Sequence, residues 1–251
     1  MCGRVYVKTS LETMLSGFAF ARRSAGVEAL ANGFPLWNGA PSLEYPIIVM
    51  DTVREPDVMG PVFRRARWGF VHRRARPPQK GDRPPPINIR CEGIATNGLF
   101  RDAYASRRAL MPIDGFFEWR DVLGTGKNKQ PYAVAMKDGR PFALGCIWDT
   151  WRNRETGDEF SSFAIITCPA NELVSAIHHR MPVVIGPQDY RRWLSDEPDP
   201  RDLMVPYPSE LMTMWPVDRK VGSPKYNTPD IIDEIELEEP GGEPGDPELP
   251  L

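Results

Sequence analysis

A chain of 251 residues with 41% hydrophobic side chains can bury one large core or two small ones, and no apolar run approaches the ~20 residues of a membrane-spanning helix. The four cysteines show neither CxxC spacing nor histidine partners, which argues against a zinc site and for free thiols in a reducing compartment. The formal charge of −3 hides an asymmetry: residues 230–251 carry nine acidic and no basic side chains, so the remainder holds 31 basic against 25 acidic residues, a balance of +6 that suits a polyanionic partner.

Residues 1–8 read as a strand with Val5 and Val7 on one face. Thr9 and Glu12 are spaced as a capping box ahead of a short helix bearing Leu11, Met14, Leu15 and Phe18. A loop then leads to Trp37-Asn38-Gly39-Ala40-Pro41, and strands are expected over 45–50 and 62–70. The Arg- and Pro-rich stretch 73–86 has turn chemistry without periodicity and reads as a mobile loop. Asn88 and Arg90 alternate about Ile89 and share one face of a strand, with Arg90 able to pair with Glu92. A helix over 97–106 opens with Leu99 and Phe100, and 109–119 reads as strand, turn, strand around Asp114-Gly115.

Three further strands follow over 131–136, 141–148 and 160–168, burying Cys146 and Cys168. Helices over 171–177 and 187–194 flank a strand at 181–185, and 212–221 is a last strand. The fold class is α+β: a single β-rich domain over residues 1–228, with a curved, barrel-like antiparallel sheet and peripheral helices. Residues 229–251 read as an acidic disordered tail whose partner is left open. No basic-then-apolar leader segment opens the chain, so a soluble protein is expected.

The chemistry starts at Met1-Cys2-Gly3-Arg4. Removal of Met1 would leave Cys2 with an α-amine and a thiol on one residue, a 1,2-aminothiol that condenses with an aldehyde to a thiazolidine. Reference pKa values of about 8 and about 8.5 leave both groups partly nucleophilic near neutrality. Glu118, set in Phe116-Phe117-Glu118-Trp119, is a carboxylate in apolar surroundings suited to acid or base work. His178 and His179 lie between a helix and a strand, where a proton shuttle is readily placed. From Arg64 to Arg90 there are nine Lys or Arg residues against Asp82 alone, interleaved with Trp68 and Phe70, a composition suited to phosphates and unpaired bases.

Six motifs in order, Met1-Cys2-Gly3-Arg4, Asn38-Gly39-Ala40-Pro41, Trp68-Gly69, Asn88-x-Arg90-x-Glu92, Phe117-Glu118-Trp119 and His178-x-Arg180-Met181-Pro182, resemble the SRAP family of SOS-response-associated peptidases. The resemblance covers residue 2 to about residue 221. It implies a single β-rich domain with a positively charged DNA channel. The implied reaction is covalent capture of abasic sites in single-stranded DNA by Cys2, without cofactor or metal, and with possible self-processing of Met1. Carried over by position, Cys2 is the crosslinking nucleophile, Asn88 positions it and the sugar, Glu118 assists ring opening and proton transfer, and His178 serves Schiff-base chemistry and reversal. Arg4, Asn38, Trp68, Arg90, Thr167 and Arg180 match DNA-contacting positions, and Leu99-Phe100 the wedge beside the lesion. A monomer is expected, cytoplasmic and nucleoid-associated in a bacterium or nuclear in a eukaryote. Ile89 departs from the family's usual Ala, His179 from its Asp after the histidine, and a tryptophan often found soon after Trp68-Gly69 is missing. Two other classes stay open on the residues alone: an N-terminal-nucleophile cysteine hydrolase or amidotransferase, and a single-stranded nucleic-acid-binding module without chemistry.

Overall fold

The computed structural model describes residues 2–24, 26–51, 60–77, 79–122 and 124–237. Met1, part of the 73–86 loop and residues 238–251 of the expected tail lie outside the described residues.

In chain order the elements are β1 (Arg4–Val7), α1 (Leu11–Gly17), β2 (Arg22–Arg23), β3 (Leu36–Gly39), β4 (Glu44–Val49), β5 (Val62–Trp68), β6 (Asn88–Arg90) and α2 (Arg101–Ser106). Then come β7 (Arg108–Ile113), β8 (Gly115–Arg120), β9 (Gln130–Met136), β10 (Phe142–Arg152), β11 (Glu159–Pro169), α3 (Glu172–Ser175), β12 (Arg180–Pro182), β13 (Val184–Ile185), α4 (Tyr190–Trp193) and β14 (Met212–Pro216).

Five strands close on themselves in the order β4-β5-β11-β10-β7-β4. Four of the junctions are antiparallel, and the parallel pairing of β5 with β11, Ser162 opposite Arg67 and Phe163 opposite Trp68, completes the ring. A second, antiparallel sheet runs β14-β9-β8-β1-β3. The expected barrel-like β-rich domain is what the chain forms.

Residues 109–119 are strand, turn, strand, but not a hairpin. β7 belongs to the barrel and β8 to the second sheet, so Asp114 marks a corner between them. Two hydrogen bonds to β1 and its end fix that corner: Lys8 N–H donates to Asp114 Oδ2 (2.9 Å) and Asp114 N–H to the Tyr6 carbonyl (3.0 Å). Residue 115 must be glycine because a Cβ there would overlap the Tyr6 ring. The period-2 alternation of β8 then divides its side chains, with Phe116 entering the main core and Phe117 a second cluster of Tyr6, Ala133, Val217, Val221 and Ile231.

Several boundaries differ from the sequence expectation for local reasons. Ser10, not Thr9, caps α1, accepting from Thr13 N–H. The stretch to which the expected loop leads is strand over Leu36–Gly39, because β3 finds β1 as a partner. The 181–185 strand is two, since the chain leaves β11 at Pro182 and joins β10 at Val184. The 97–106 helix starts as a turn capped by Asn97 Oδ1 on Leu99 N–H (2.9 Å), and α2 proper begins at Arg101. The 187–194 helix is a 3-10 turn followed by α4, and the last strand ends at Pro216.

The segment after residue 228 is not free at its start. Pro229–Ile232 forms a 3-10 turn, Ile231 is buried in the second cluster, Trp215 Nε1 donates to the Ile232 carbonyl (2.7 Å), and Ile235 N–H to that of Pro216 (3.1 Å). Three isoleucines supply the apolar surface that the acidic composition obscures.

Trp68, expected at a nucleic-acid surface, is 1% exposed in the barrel. Its ring stacks on Phe163 (6.4 Å, 13°), meets Tyr45 edge-on (5.9 Å) and donates from Nε1 to the Ile87 carbonyl (2.9 Å). Trp68→Ala is expected to lower the unfolding free energy by about 3–5 kcal/mol in a denaturant titration, the range for deleting a buried large aromatic.

Candidate functional site

Strand β1 carries Cys2 to the junction of the two sheets. The residue is fully buried, with Sγ 4.0 Å from the Arg4 carbonyl. Asn88 reaches it from the barrel side: β6 lies parallel to β11 with Asn88 opposite Ile165, and Asn88 Nδ2 donates to the Cys2 carbonyl at 2.7 Å. The other amide atom, Asn88 Oδ1, is buried with no hydrogen-bond partner among the described residues. An acceptor in that position is available to a hydroxyl or amine entering the site.

Glu118 comes from β8. The register that sets Arg4 against Phe117 places Gly3 against Glu118 when continued by one residue. The carboxylate is 3% exposed and accepts Trp119 N–H at Oε1 (3.2 Å). Its charge reaches two neighbours. Burial pushes the Cys2 thiol far above its ordinary range, and Glu118 pushes it further. For His178 the two effects oppose: burial holds the imidazole below its ordinary value, and Glu118 pulls it partly back.

His178 follows α3, which Asn171 caps through Oδ1 on Val174 N–H (2.9 Å). His178 Nδ1 lies against the backbone of Arg180, 2.9 Å from its N–H and 3.1 Å from its carbonyl oxygen, which fixes the orientation of the ring. The exposed His179 ring stacks on it at 4.4 Å, and a second imidazolium there would oppose the charging of His178. Cys2, Asn88, Glu118 and His178 are thus brought together from four separate stretches.

The expected DNA-contacting residues divide into two groups. Asn38, Thr167 and Arg180 are buried, like Trp68. Thr167 Oγ1 donates to the Ile89 carbonyl (3.2 Å), and Arg180 pairs bidentately with Glu92 (Nη2 to Oε2, 3.0 Å) while donating to the Thr167 carbonyl (2.6 Å). Glu92 therefore serves Arg180 rather than Arg90, a pairing that spacing alone does not reveal because the partners are 88 residues apart. Held by that guanidinium, the Glu92 carboxyl titrates at about 2. Arg4 is half-buried, with its guanidinium on Asn38 Oδ1 (2.8 Å) and the carbonyls of Val221 and Gly222 (3.0 Å each).

The exposed group comprises Arg90, Leu99 (44% exposed) and the half-buried Phe100, whose ring meets Phe70 edge-on at 5.8 Å. Within the basic stretch, Arg64 pairs with Asp51, Arg67 lies over the Phe160 ring (3.9 Å) and Arg76 pairs with Asp82. Arg73, Arg74, Lys80 and Arg83 are exposed beside Arg90 in sequence. Among the described residues no three His, Cys, Asp or Glu side chains are grouped to hold a metal, and no helix is long and apolar enough to cross a membrane.

Residues 1–224 match the family described as SOS response associated peptidase. The abasic site processing protein YoqW of Bacillus subtilis is 29% identical over 239 residues, covering 93% of this chain and 99% of the relative. The abasic site processing protein YedK of Escherichia coli is 31% identical over 182 residues, covering 70% and 75% respectively. A crystal structure of a Bacteroides thetaiotaomicron protein shares the fold at a TM-score of 0.78 and 24% identity, over 94% of this chain and all of that one. With the matched region spanning everything from the start of the chain to the end of the second sheet, this protein is a member of the SRAP family.

Proposed function

We propose that this protein captures abasic sites in single-stranded DNA through Cys2. The observation that carries the reading is the grip of Asn88 on the Cys2 carbonyl, with Glu118 and His178 beside it and a spare buried acceptor on the same amide. Relatives named as abasic site processing proteins support the substrate class. Arg90 and the exposed cations of the stretch that precedes it suit the phosphates of a strand, and Leu99 with Phe100 suits a face against an unstacked base.

Hydrolysis of the Met1–Cys2 bond comes first, by the protein itself or by an aminopeptidase. The freed α-amine then adds to the ring-opened sugar aldehyde, and loss of water gives an imine. Finally the Cys2 sulfur bonds to the imine carbon while the thiol proton passes to nitrogen, closing the thiazolidine. A thiol held protonated by burial cannot attack early, and a positive iminium beside it would lower its pKa at the moment the ring must close. Glu118 is the carrier for the protons of ring opening and closure. His178 is the acid for reversal. Arg180 and Thr167 act from beneath, holding the His178 turn and β6. A hydrolase using the α-amine as base would leave Glu118 and His178 without a task.

Wild-type protein mixed with an abasic single strand should give a heat-stable adduct in which intact mass shows Met1 lost, and Cys2→Ala should give none. An adduct that retains Met1 overturns the mechanism. Glu118→Gln should slow single-turnover adduct formation by roughly 100- to 10,000-fold with unchanged unfolding behaviour. An unaltered rate would return Glu118 to a purely structural place.

Reversal should depend on pH from below the ordinary histidine value. The folded His178 has a lowered pKa, so it is neutral at pH 7 and gains its proton only as pH falls below about 6.5. Release of preformed adduct into excess trap DNA across pH 5–8 should therefore rise on the acid side. His179→Asp, replacing an opposing imidazole by a carboxylate, should move that rise upward. A flat profile, or a downward shift in His179→Asp, contradicts this assignment.

A further inference from the structure

Resting on the reading of Cys2 as nucleophile, we propose that Asn227 is a positioning residue that locks the register of the strands presenting it. The pairing of β1 with β3 contains a bulge: Val5 faces Gly39 and Val7 faces Leu36, so β1 advances two residues while β3 advances three. In a regular strand consecutive amides point to opposite sides. Here the Trp37 and Asn38 amides both donate to one atom, Asn227 Oδ1, at 2.7 and 2.9 Å. β3 is the edge of its sheet, and Asn227 is the group that takes up the two amides the bulge turns outward.

The bulge also sets where the Asn38 side chain goes. Its Nδ2 lies within hydrogen-bond distance of the carbonyls of Val221, Ser223 and Tyr226 (3.2, 3.0 and 2.8 Å), and its Oδ1 accepts from Arg4. Arg4 is thereby tied to residues 221 and 222, two positions after Cys2, whose own carbonyl Asn88 holds. A slip of one residue in β3 would turn Asn38 to the opposite face and release Arg4. The chain at Cys2 would then keep the β1–β8 pairing and the Asn88 bond but lose the anchor that Arg4 gives it against residues 221 and 222. Asn38 and Arg4 act here as struts for the nucleophile, and the segment from Val217 to Ile235 belongs to the site although its end lies beyond the matched family region.

Asn227 is exposed, so its truncation opens no cavity and the variant should fold. The test is single-turnover adduct formation with an abasic single strand over a range of strand concentrations. Asn227→Ala should lower the maximal rate between about 10- and 100-fold, the scale of an ångström-sized misplacement, with half-saturation within about twofold of wild type. Asn227→Asp keeps an oxygen acceptor for both amides and should restore the rate to within about threefold. An unchanged maximal rate in Asn227→Ala, a loss confined to half-saturation, or equal losses in both variants overturns the proposal. Should Asn227→Ala not fold, Asn227→Ser, whose hydroxyl can accept one of the two bonds, must show the same split between rate and half-saturation. A wild type that forms no adduct would instead remove the reading of Cys2 itself.

Discussion

One hydrogen bond joins the two halves of this molecule at the point where its chemistry is proposed: Asn88 Nδ2 to the Cys2 carbonyl. Asn88 belongs to a short strand laid against the barrel, and Cys2 to the segment that leads into β1 of the second sheet. The thiol is fully buried, so every group within reach acts on it through a low-dielectric interior rather than through water. That is why a single carboxylate, Glu118, perturbs both the thiol and His178. The remainder of the site is a set of supports for this arrangement.

The supports explain the fate of several polar and aromatic motif residues. Thr167, Arg180 and Glu92 tie β6, β11 and β12 together under His178, while Asn38 and Arg4 tie β1 and β3 to the carboxy-terminal segment. Trp68 braces the parallel closure of the barrel beside Phe163. Trp68, Thr167 and Asn38 are enclosed, and each holds neighbouring strands or segments in place.

That Cys2, Asn88, Glu118 and His178 belong together was implied by six ordered motifs that resemble one family, since each residue taken alone also fits a structural place. The strands of the barrel were legible from alternation, as in 109–119 and 160–168. What alternation does not carry is which sheet a strand joins. The corner at Asp114-Gly115 looks like a hairpin turn in sequence and is decided by Lys8, Tyr6 and the space under the Tyr6 ring. Nor does a motif say which side of a sheet its aromatic faces, which is how Trp68 came to be expected at the surface. The docking of residues 229–235 was hidden by averaging, because three isoleucines among acidic neighbours read as tail composition although Ile231 fills a place in a core and Ile232 packs against it.

The contacts of Arg4 run across 217 and 218 positions of sequence, joining the two ends of the folded chain. Pairings so distant in sequence are slow to form and come after local structure. During synthesis from the amino terminus, β1 emerges first but its β8 partner appears more than a hundred residues later, and the carbonyls that hold Arg4 later still. The barrel strands can all be made before the Cys2 platform has its last support. A partly synthesised chain therefore carries the cysteine without the framework that orients it, and the contacts around Cys2 are complete only once residues 221 and 222 have been made.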